Sequence, residues 1–172
     1  MKYKALITAP PILPKIYNYQ DLFDRESVEI VIPPYKVEES LDERKLLKLI
    51  TDVDGILCGD DEISANVLKK AKKLKVISKW GTGIDSIDKK SALSLGIKVL
   101  RVKDVFADPV SDTVISYILL YSRKIIEKDK LIRSNKWEKT ESYTLKEKSL
   151  GVIGSGHIGK AVILKAASLG MK

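Results

Sequence analysis

Three glycines near the end of the chain, Gly154, Gly156 and Gly159, have the spacing of a phosphate-binding turn. The first would permit a tight turn, the second would let the backbone approach a pyrophosphate, and the third would allow close helix packing. Free backbone N–H groups and the positive end of the following helix dipole would then face the anion. The pattern indicates dinucleotide binding, and the alternative is a glycine-rich strand-to-helix turn without a ligand.

Two further residues of this turn, His157 and Ile158, are expected to contact a bound dinucleotide. His157 is the only histidine of the chain. Its imidazole would flank a pyrophosphate rather than a reacting carbon, so we do not expect it to act as a catalytic acid or base, although histidine has a suitable pKa.

A second constellation, Lys79–Asp85 (KWGTGID), follows an apolar stretch. Two glycines flank Thr82 and free the backbone to turn with its N–H groups exposed, which makes a concave anion site. Lys79 can add a positive charge. The carboxylate of a small acid would fit there, at the C-terminal end of a parallel strand. A turn in which Asp85 caps local structure is an equally good interpretation of these residues.

Short apolar runs alternate with amphipathic segments through the first hundred residues, which predicts a parallel sheet with helical crossovers. Strands are expected near residues 3–8, 28–32, 54–58, 75–78 and 97–100. Ser40 and Glu43 fit a capping box at a helix start. Ser64 and Asp88 are further N-cap candidates, and Gly96 is expected to close the third helix.

The character of the chain changes after Arg101. Asp108 is expected to cap a long apolar helix with Pro109 at its first position, and the apolar face would continue to Ile125. A charged connection over residues 124–148 leads to a predicted buried strand at 150–153. A final helix is expected over 158–169 and would end at Gly170.

Composition narrows the function classes. The 172 residues are 44% hydrophobic, enough for a packed core, and the net charge is +8. Lysines at 69, 70, 72, 73 and 75 lie in and just after a predicted helix whose apolar residues face the other way. No aromatic residues alternate with them, which favours a solvated face over nucleic-acid binding. The single cysteine, Cys58, can form neither an internal disulfide nor a metal cluster and is expected to be buried. No signal peptide or membrane span is apparent, so we expect a cytoplasmic protein without membrane or metal partners.

The order of these motifs resembles the D-2-hydroxyacid dehydrogenase family, especially its phosphoglycerate dehydrogenase-like branch. The similarity covers about residues 50–172 and rests on the segments 75–88, 96–97, 107–112 and 149–159. It implies an α/β chain with a flavodoxin-like, parallel-sheet substrate domain over 1–101. The crossing helix, a connector and the first βα unit of a Rossmann coenzyme domain would then occupy 102–172.

The resemblance also implies roles for particular residues. Backbone amides of the glycine loop would hold the substrate carboxylate, so the implied substrate-binding residues are Lys79, Trp80, Gly81, Thr82 and Gly83. The start of the crossing helix lies near the nicotinamide in this family. The implied cofactor contacts are therefore Val110, Gly154, Gly156, His157, Ile158 and Gly159.

The implied activity is hydride transfer between NAD or NADP and a small 2-hydroxy or 2-oxo acid, in a homodimer. The sequence departs from the family at Lys79, where arginine is common, and at Arg101, Lys103 and Asp104, a stretch that often ends in Pro-Gly. Catalytic residues of the family come from later in the coenzyme domain, so we expect none here and an N-terminal portion that is inactive alone. A non-catalytic dinucleotide-sensing or partner-binding protein is the alternative, and a basic nucleic-acid-binding module is a third.

Overall fold

A computed structural model describes residues 2–172. The chain divides into two compact units, Met1–Lys103 and Asp104–Lys172. The boundary expected from the sequence, between residues 101 and 102, lies close to this division. The substrate and coenzyme roles expected for the two parts stay predictions.

The first unit contains a five-stranded parallel sheet in the order β2-β1-β3-β4-β5. This order is flavodoxin-like, and the predicted α/β class is confirmed. The strands are β1 (Tyr3–Ile7), β2 (Val28–Val31), β3 (Gly55–Cys58), β4 (Val76–Lys79) and β5 (Lys98–Arg101). Each lies within about a residue of its expected position, because short apolar runs between helical segments are a strong signal for buried strands.

Helices pack on this sheet and bury part of its apolar side chains, and an open apolar groove remains over β1, β3 and β4. They are α1 (Gln20–Arg25), α2 (Glu43–Leu49), α3 (Ala65–Lys70) and α4 (Lys89–Ser94), with single 3₁₀ segments at Leu13–Tyr19 and Ile50–Asp52. Leu46, Leu68 and Ile77 are among the side chains of the larger core cluster. A smaller cluster that includes Ile7 and Ile16 packs on its own between the sheet and the 3₁₀ segment.

Two of the predicted helix caps are confirmed. The side chains of Ser64 and Asp88 accept hydrogen bonds from the backbone N–H groups of Val67 and Ser91, at 3.3 and 2.9 Å. Gly96 follows α4 with a φ of 69°, a left-handed conformation that glycine adopts without steric cost.

The capping box predicted at Ser40 is wrong. Asp42 is the N-cap of α2, and its carboxylate accepts from the N–H of Lys45 at 2.8 Å. The backbone N–H of Leu41 donates to the buried carboxylate of Asp61 at 2.6 Å. This bond holds the chain outside the helix at Leu41, so the helix begins two residues later than the sequence pattern suggests.

The second unit is built from α5 (Ala107–Ser122), α6 (Ile125–Arg133) and α7 (His157–Ser168), with a 3₁₀ turn at Leu145–Glu147. None of the helices in the described part of the chain is long and apolar enough to cross a bilayer. Gly170, with a φ of 83°, follows the last helix as predicted.

The start and end of α5 differ from the prediction. The helix begins at Ala107 after Phe106, which makes no side-chain cap, so Asp108 and Pro109 lie inside its first turn. Proline is tolerated there because the first N–H groups of a helix have no intrahelical acceptor. Lys124 adopts a left-handed conformation, with a φ of 49°, and ends the apolar face before Ile125, which belongs to α6.

The buried strand predicted at residues 150–153 is also wrong. These residues form no strand, and Ile153 is fully exposed. A strand needs a ladder partner, and here the N–H of Leu150 donates to the carbonyl of Lys172 at 2.7 Å. Lys172 in turn donates to the carbonyl of Lys148 at 3.0 Å, which makes a single rung of parallel pairing.

Candidate functional site

The loop over residues 80–85 follows β4 at the carboxyl edge of the sheet. The N–H of Trp80 donates to the carbonyl of Cys58 at 2.8 Å, and the carbonyl of Gly81 accepts from Val102 at 3.1 Å. Gly81 has a φ of 147°, which side chains rarely adopt. The neighbouring strands therefore fix both sides of the turn on which the loop depends.

The backbone of the 80–85 loop offers donors for an anion. Within residues 2–172, the N–H groups of Thr82 and Gly83 have no hydrogen-bond acceptor, and both residues are exposed. Arg101, at the end of β5, donates from its guanidinium to the carbonyl of Thr82 at 3.1 Å. Within the same residues, the N–H groups of Ile84 and Asp85 have no acceptor either, so the loop combines four free N–H donors with an adjacent cation, a combination that suits a carboxylate.

The side chain of Lys79 is buried, whereas the sequence suggests a lysine whose charge is available to a bound anion. Its side chain is only 3% exposed, and its Nζ lies 2.5 Å from both the carbonyl of Gly59 and the carboxylate of Asp60. The stem of Lys79 runs along Gly81, because a Cβ placed there would lie 3.4 Å from its Cε. The ammonium group lies beside the loop, already paired with a carboxylate.

Asp60 is the residue at this edge that the sequence does not single out, and Arg101 stands out there only as a departure from the family pattern. Asp60 follows β3, Arg101 ends β5, and strand pairing places Cys58 and Arg101 on either side of Lys79. The available signal is positional: polar residues directly after neighbouring parallel strands meet at one edge.

Cys58, at the end of β3, is buried as predicted. Burial, and then the charge of Asp61, raises the pKa of its thiol to about 12. A thiol that stays protonated at neutral pH is a poor nucleophile, so Cys58 serves packing.

The 154–159 turn in the second unit has the geometry that its glycines predict. Gly154 has a φ of 92°, and Gly156 is the N-cap of α7. A Cβ on Gly159 would overlap the carbonyl oxygen of Gly154. The close approach of the helix to the turn therefore requires glycine at 159. His157 and Ile158, at the amino end of α7, are exposed, and such a helix end can offer N–H groups to an anion.

The other expected cofactor contacts lie at the surface of the second unit. Ile158 is 42% and Val110 is 37% exposed. His157, the first residue of α7, places its Nδ1 2.7 Å from the carboxylate of Asp104. Asp104 has a φ of 63°, so it adopts at this position the left-handed conformation that a glycine would favour.

Lys165 joins α7 to the start of α5. Its Nζ lies 2.6 Å from the Asp112 carboxylate, 2.8 Å from the Ser111 hydroxyl and 3.3 Å from the Asp108 carboxylate. The hydrogen bond that Lys165 donates to Asp112 is the main cause that raises the pKa of Lys165. Val162 and Ala166, on the same helix, are buried. The helix behind the glycine turn is therefore held by charge as well as by packing.

A parallel α/β sheet and a dinucleotide-type glycine turn in one chain fit an enzyme of the α/β class that uses a dinucleotide cofactor. The family model for the catalytic domain of D-isomer specific 2-hydroxyacid dehydrogenases matches residues 17–165. The chain belongs to this family, as its motif order indicates.

Two curated relatives agree with this assignment. A glyoxylate reductase from Thermococcus litoralis is 34% identical over 137 residues, which cover 74% of this chain and 41% of the relative. A hydroxypyruvate reductase from Thermotoga maritima is 32% identical over 161 residues, covering 90% of this chain and 53% of the relative. The chain spans about half the length of the curated relatives it matches.

Solved structures show the same fold. A D-lactate dehydrogenase from Aquifex aeolicus, complexed with NAD and lactic acid, matches with a TM-score of 0.81 at 21% identity. The match covers 98% of this chain and 49% of that one. At this identity the likeness concerns the fold.

Proposed function

We propose that this chain carries the carboxylate-binding loop and the dinucleotide-binding turn of an oxidoreductase that interconverts a small 2-hydroxy acid and its 2-oxo acid. The observation that carries the proposal is the pair of free N–H groups at Thr82 and Gly83, beside the guanidinium of Arg101. Such donors are preorganised for a carboxylate, because sheet hydrogen bonds fix the loop before a ligand arrives.

In this proposal the 80–85 loop orients the substrate. Hydrogen bonds from Thr82 and Gly83 hold the carboxylate, and the exposed ring of Trp80, 43% accessible, lines the same loop. Fixing the carboxylate fixes the neighbouring C2 carbon, which is how a positioning site lowers the entropic part of a barrier.

An NAD-type cofactor is proposed for the 154–159 turn. The residues fit such a cofactor. Glycine at 159 has no side chain that would displace the Gly154 carbonyl, and the amino end of α7 is exposed. When bound, a nicotinamide would supply or accept the hydride at C2. His157 and Ile158 would flank the pyrophosphate, and Val110 is proposed as a further contact. NADP stays an alternative to NAD.

The phosphoglycerate dehydrogenase-like branch is proposed as the lineage, from the order of the motifs. We also propose that residues 1–172 bind ligands without turnover. The only histidine already pairs with Asp104, and the chain spans about half the length of the matched relatives.

A homodimer is proposed from the surface of α5. Tyr117 and Tyr121 are 67% and 84% exposed on this helix, an apolar surface of the kind that mediates association. A cytoplasmic location is likewise proposed, from the single reduced cysteine, Cys58.

The test is a nuclear magnetic resonance titration of the ¹⁵N-labelled chain, with D-glycerate and NADH added separately. We expect D-glycerate to shift the amide signals of Thr82 and Gly83, and NADH to shift those of Gly156 and Gly159. Each amide reports its own surroundings, so weak binding at the site can be distinguished from weak binding elsewhere.

If D-glycerate shifted only the amide signals of other residues, the assignment of the 80–85 loop as the substrate site would be wrong. NADH shifts without any response to acids would favour the non-catalytic, dinucleotide-sensing alternative. Turnover of a 2-oxo acid by the purified chain would contradict the proposed inactivity.

A further inference from the structure

The 80–85 loop is surrounded by an uneven set of charges. Two cations lie beside it, Lys79 and Arg101, at the ends of adjacent strands. Asp60 lies 2.5 Å from the Lys79 ammonium, and Arg101 contacts only a carbonyl, that of Thr82. Asp85, at the far end of the loop, has its carboxylate 4.0 Å from Lys89. Of these two cations, Arg101 is therefore the one without a carboxylate partner, whereas the buried carboxylate of Asp61, next to Asp60, accepts hydrogen bonds from neutral groups.

Asp60 is placed to compensate Lys79 permanently. Lys79 is 3% exposed, and a buried ammonium needs a partner, whereas the Asp60 side chain is 83% exposed and has water available to it. Gly59, which supplies the other oxygen to Lys79, precedes Asp60 in the chain. Gly59 and Asp60, which directly follow β3, thus bring a carbonyl and a carboxylate to the same ammonium group.

We propose that Asp60 sets substrate charge specificity: by occupying Lys79, it leaves a site that accepts acids with one carboxylate and disfavours those with a second anionic group. This inference rests on the proposed function, since it concerns the same loop. The substrate class is then singly charged 2-hydroxy and 2-oxo acids. The second anionic group of a phosphorylated or dicarboxylic acid would be repelled by the carboxylate of Asp60, and Lys79 would not be free to bind it.

Removal of the Asp60 charge should uncover Lys79 for a second anion. A unit charge a few ångströms away, in the partly solvated edge of a protein, changes affinity on the order of fivefold. D-glycerate and D-3-phosphoglycerate make a matched pair of probes, because they are the same 2-hydroxy acid without and with a terminal phosphate.

The experiment measures dissociation constants for both probes from the Thr82 and Gly83 amide shifts. In the unchanged chain we expect D-3-phosphoglycerate to bind no tighter than D-glycerate. In Asp60→Asn we expect D-3-phosphoglycerate to bind about fivefold tighter than before, with D-glycerate changed less than twofold. Glu29→Gln is the control, because it removes one exposed negative charge from β2, at the opposite side of the sheet from β4 and β5, and should give no gain.

Three results would overturn the inference: a preference of the unchanged chain for D-3-phosphoglycerate, no gain in a folded Asp60→Asn variant, or an equal gain in Glu29→Gln. Thermal unfolding of each variant establishes that it is folded. If Asp60→Asn does not fold, the ranking of the two probes by the unchanged chain still decides. Failure of D-glycerate to shift either amide would instead overturn the proposed function.

Discussion

The 80–85 loop and the 154–159 turn both present backbone N–H groups, but different forces hold them. The first lies at the edge of a five-stranded sheet, and hydrogen bonds from the adjoining strands fix Trp80 and Gly81. The second precedes a helix, and the residues before it form no strand. In its own unit, the turn depends on the close approach of Gly159 and on Lys165 behind it.

The difference shows that a backbone binding motif can occur with or without a supporting sheet in its own unit. The first unit contains both the loop and the core that supports it. The second contains the turn and the helix, with a single rung of strand pairing at Lys172. Changes in the core should therefore have larger effects in the first unit, whereas changes in the second should be local.

The largest effect is expected from Leu46→Ala. Leu46 is fully buried in the main core cluster, so the change should lower the free energy of unfolding by roughly 2–5 kcal/mol. Leu164→Ala, on α7, removes the same atoms from a side chain that is 72% exposed and should cost less than about 0.5 kcal/mol. Urea unfolding followed by circular dichroism measures both. Similar losses in the two variants would contradict the place of Leu46 in the core that supports the loop.

A local effect is expected from Gly159→Ala. The added Cβ would overlap the Gly154 carbonyl, so the turn must shift and the affinity for NADH should fall at least about tenfold, or roughly 1.4 kcal/mol. Gly151→Ala is the matched control, because a Cβ there meets nothing within 4 Å, and its affinity should stay within about twofold. Fluorescence titration with NADH checks both. Equal affinities in the two variants would mean that the cofactor does not use this turn.

The smallest effect concerns pH. Hydrogen bonds from Lys4 and then Lys73 lower the pKa of Asp52 from 3.8 to about 2. A lowered carboxyl pKa stabilises the folded state above the unfolded pKa and loses that contribution as pH falls toward the folded pKa. The difference in melting temperature between the unchanged chain and Asp52→Asn should thus be constant above about pH 4 and shrink toward pH 2. Thermal scans from pH 6 to 2 measure it, and a difference that persists at pH 2 would contradict the assignment.

Much of the fold follows from local pattern. The strands are short apolar runs, and Ser64 and Asp88 cap their helices as their types predict, because both signals act within a few residues. The errors arise where a distant contact decides. Asp61 moves the start of α2 by binding Leu41, and residues 150–153 have apolar strand character without a ladder.

The site is predictable to a similar extent. Glycine spacing identifies the two backbone turns, since tight turns constrain which residues can occupy them. The pairing of Lys79 with Asp60 is not visible in the sequence, because 19 residues separate them and strand order brings them together. Arg101 reaches the loop for the same reason. Strand order decides which charged side chains meet at one edge of a sheet, and local sequence pattern does not reveal strand order.

The most direct test of the account is a crystal structure of the chain with D-glycerate. The carboxylate of D-glycerate should accept hydrogen bonds from the N–H groups of Thr82 and Gly83, and the Arg101 guanidinium should lie beside it. Lys79 should still be bound to Asp60. A carboxylate bound elsewhere, with those two N–H groups left free, would contradict the central claim that this loop is the substrate site.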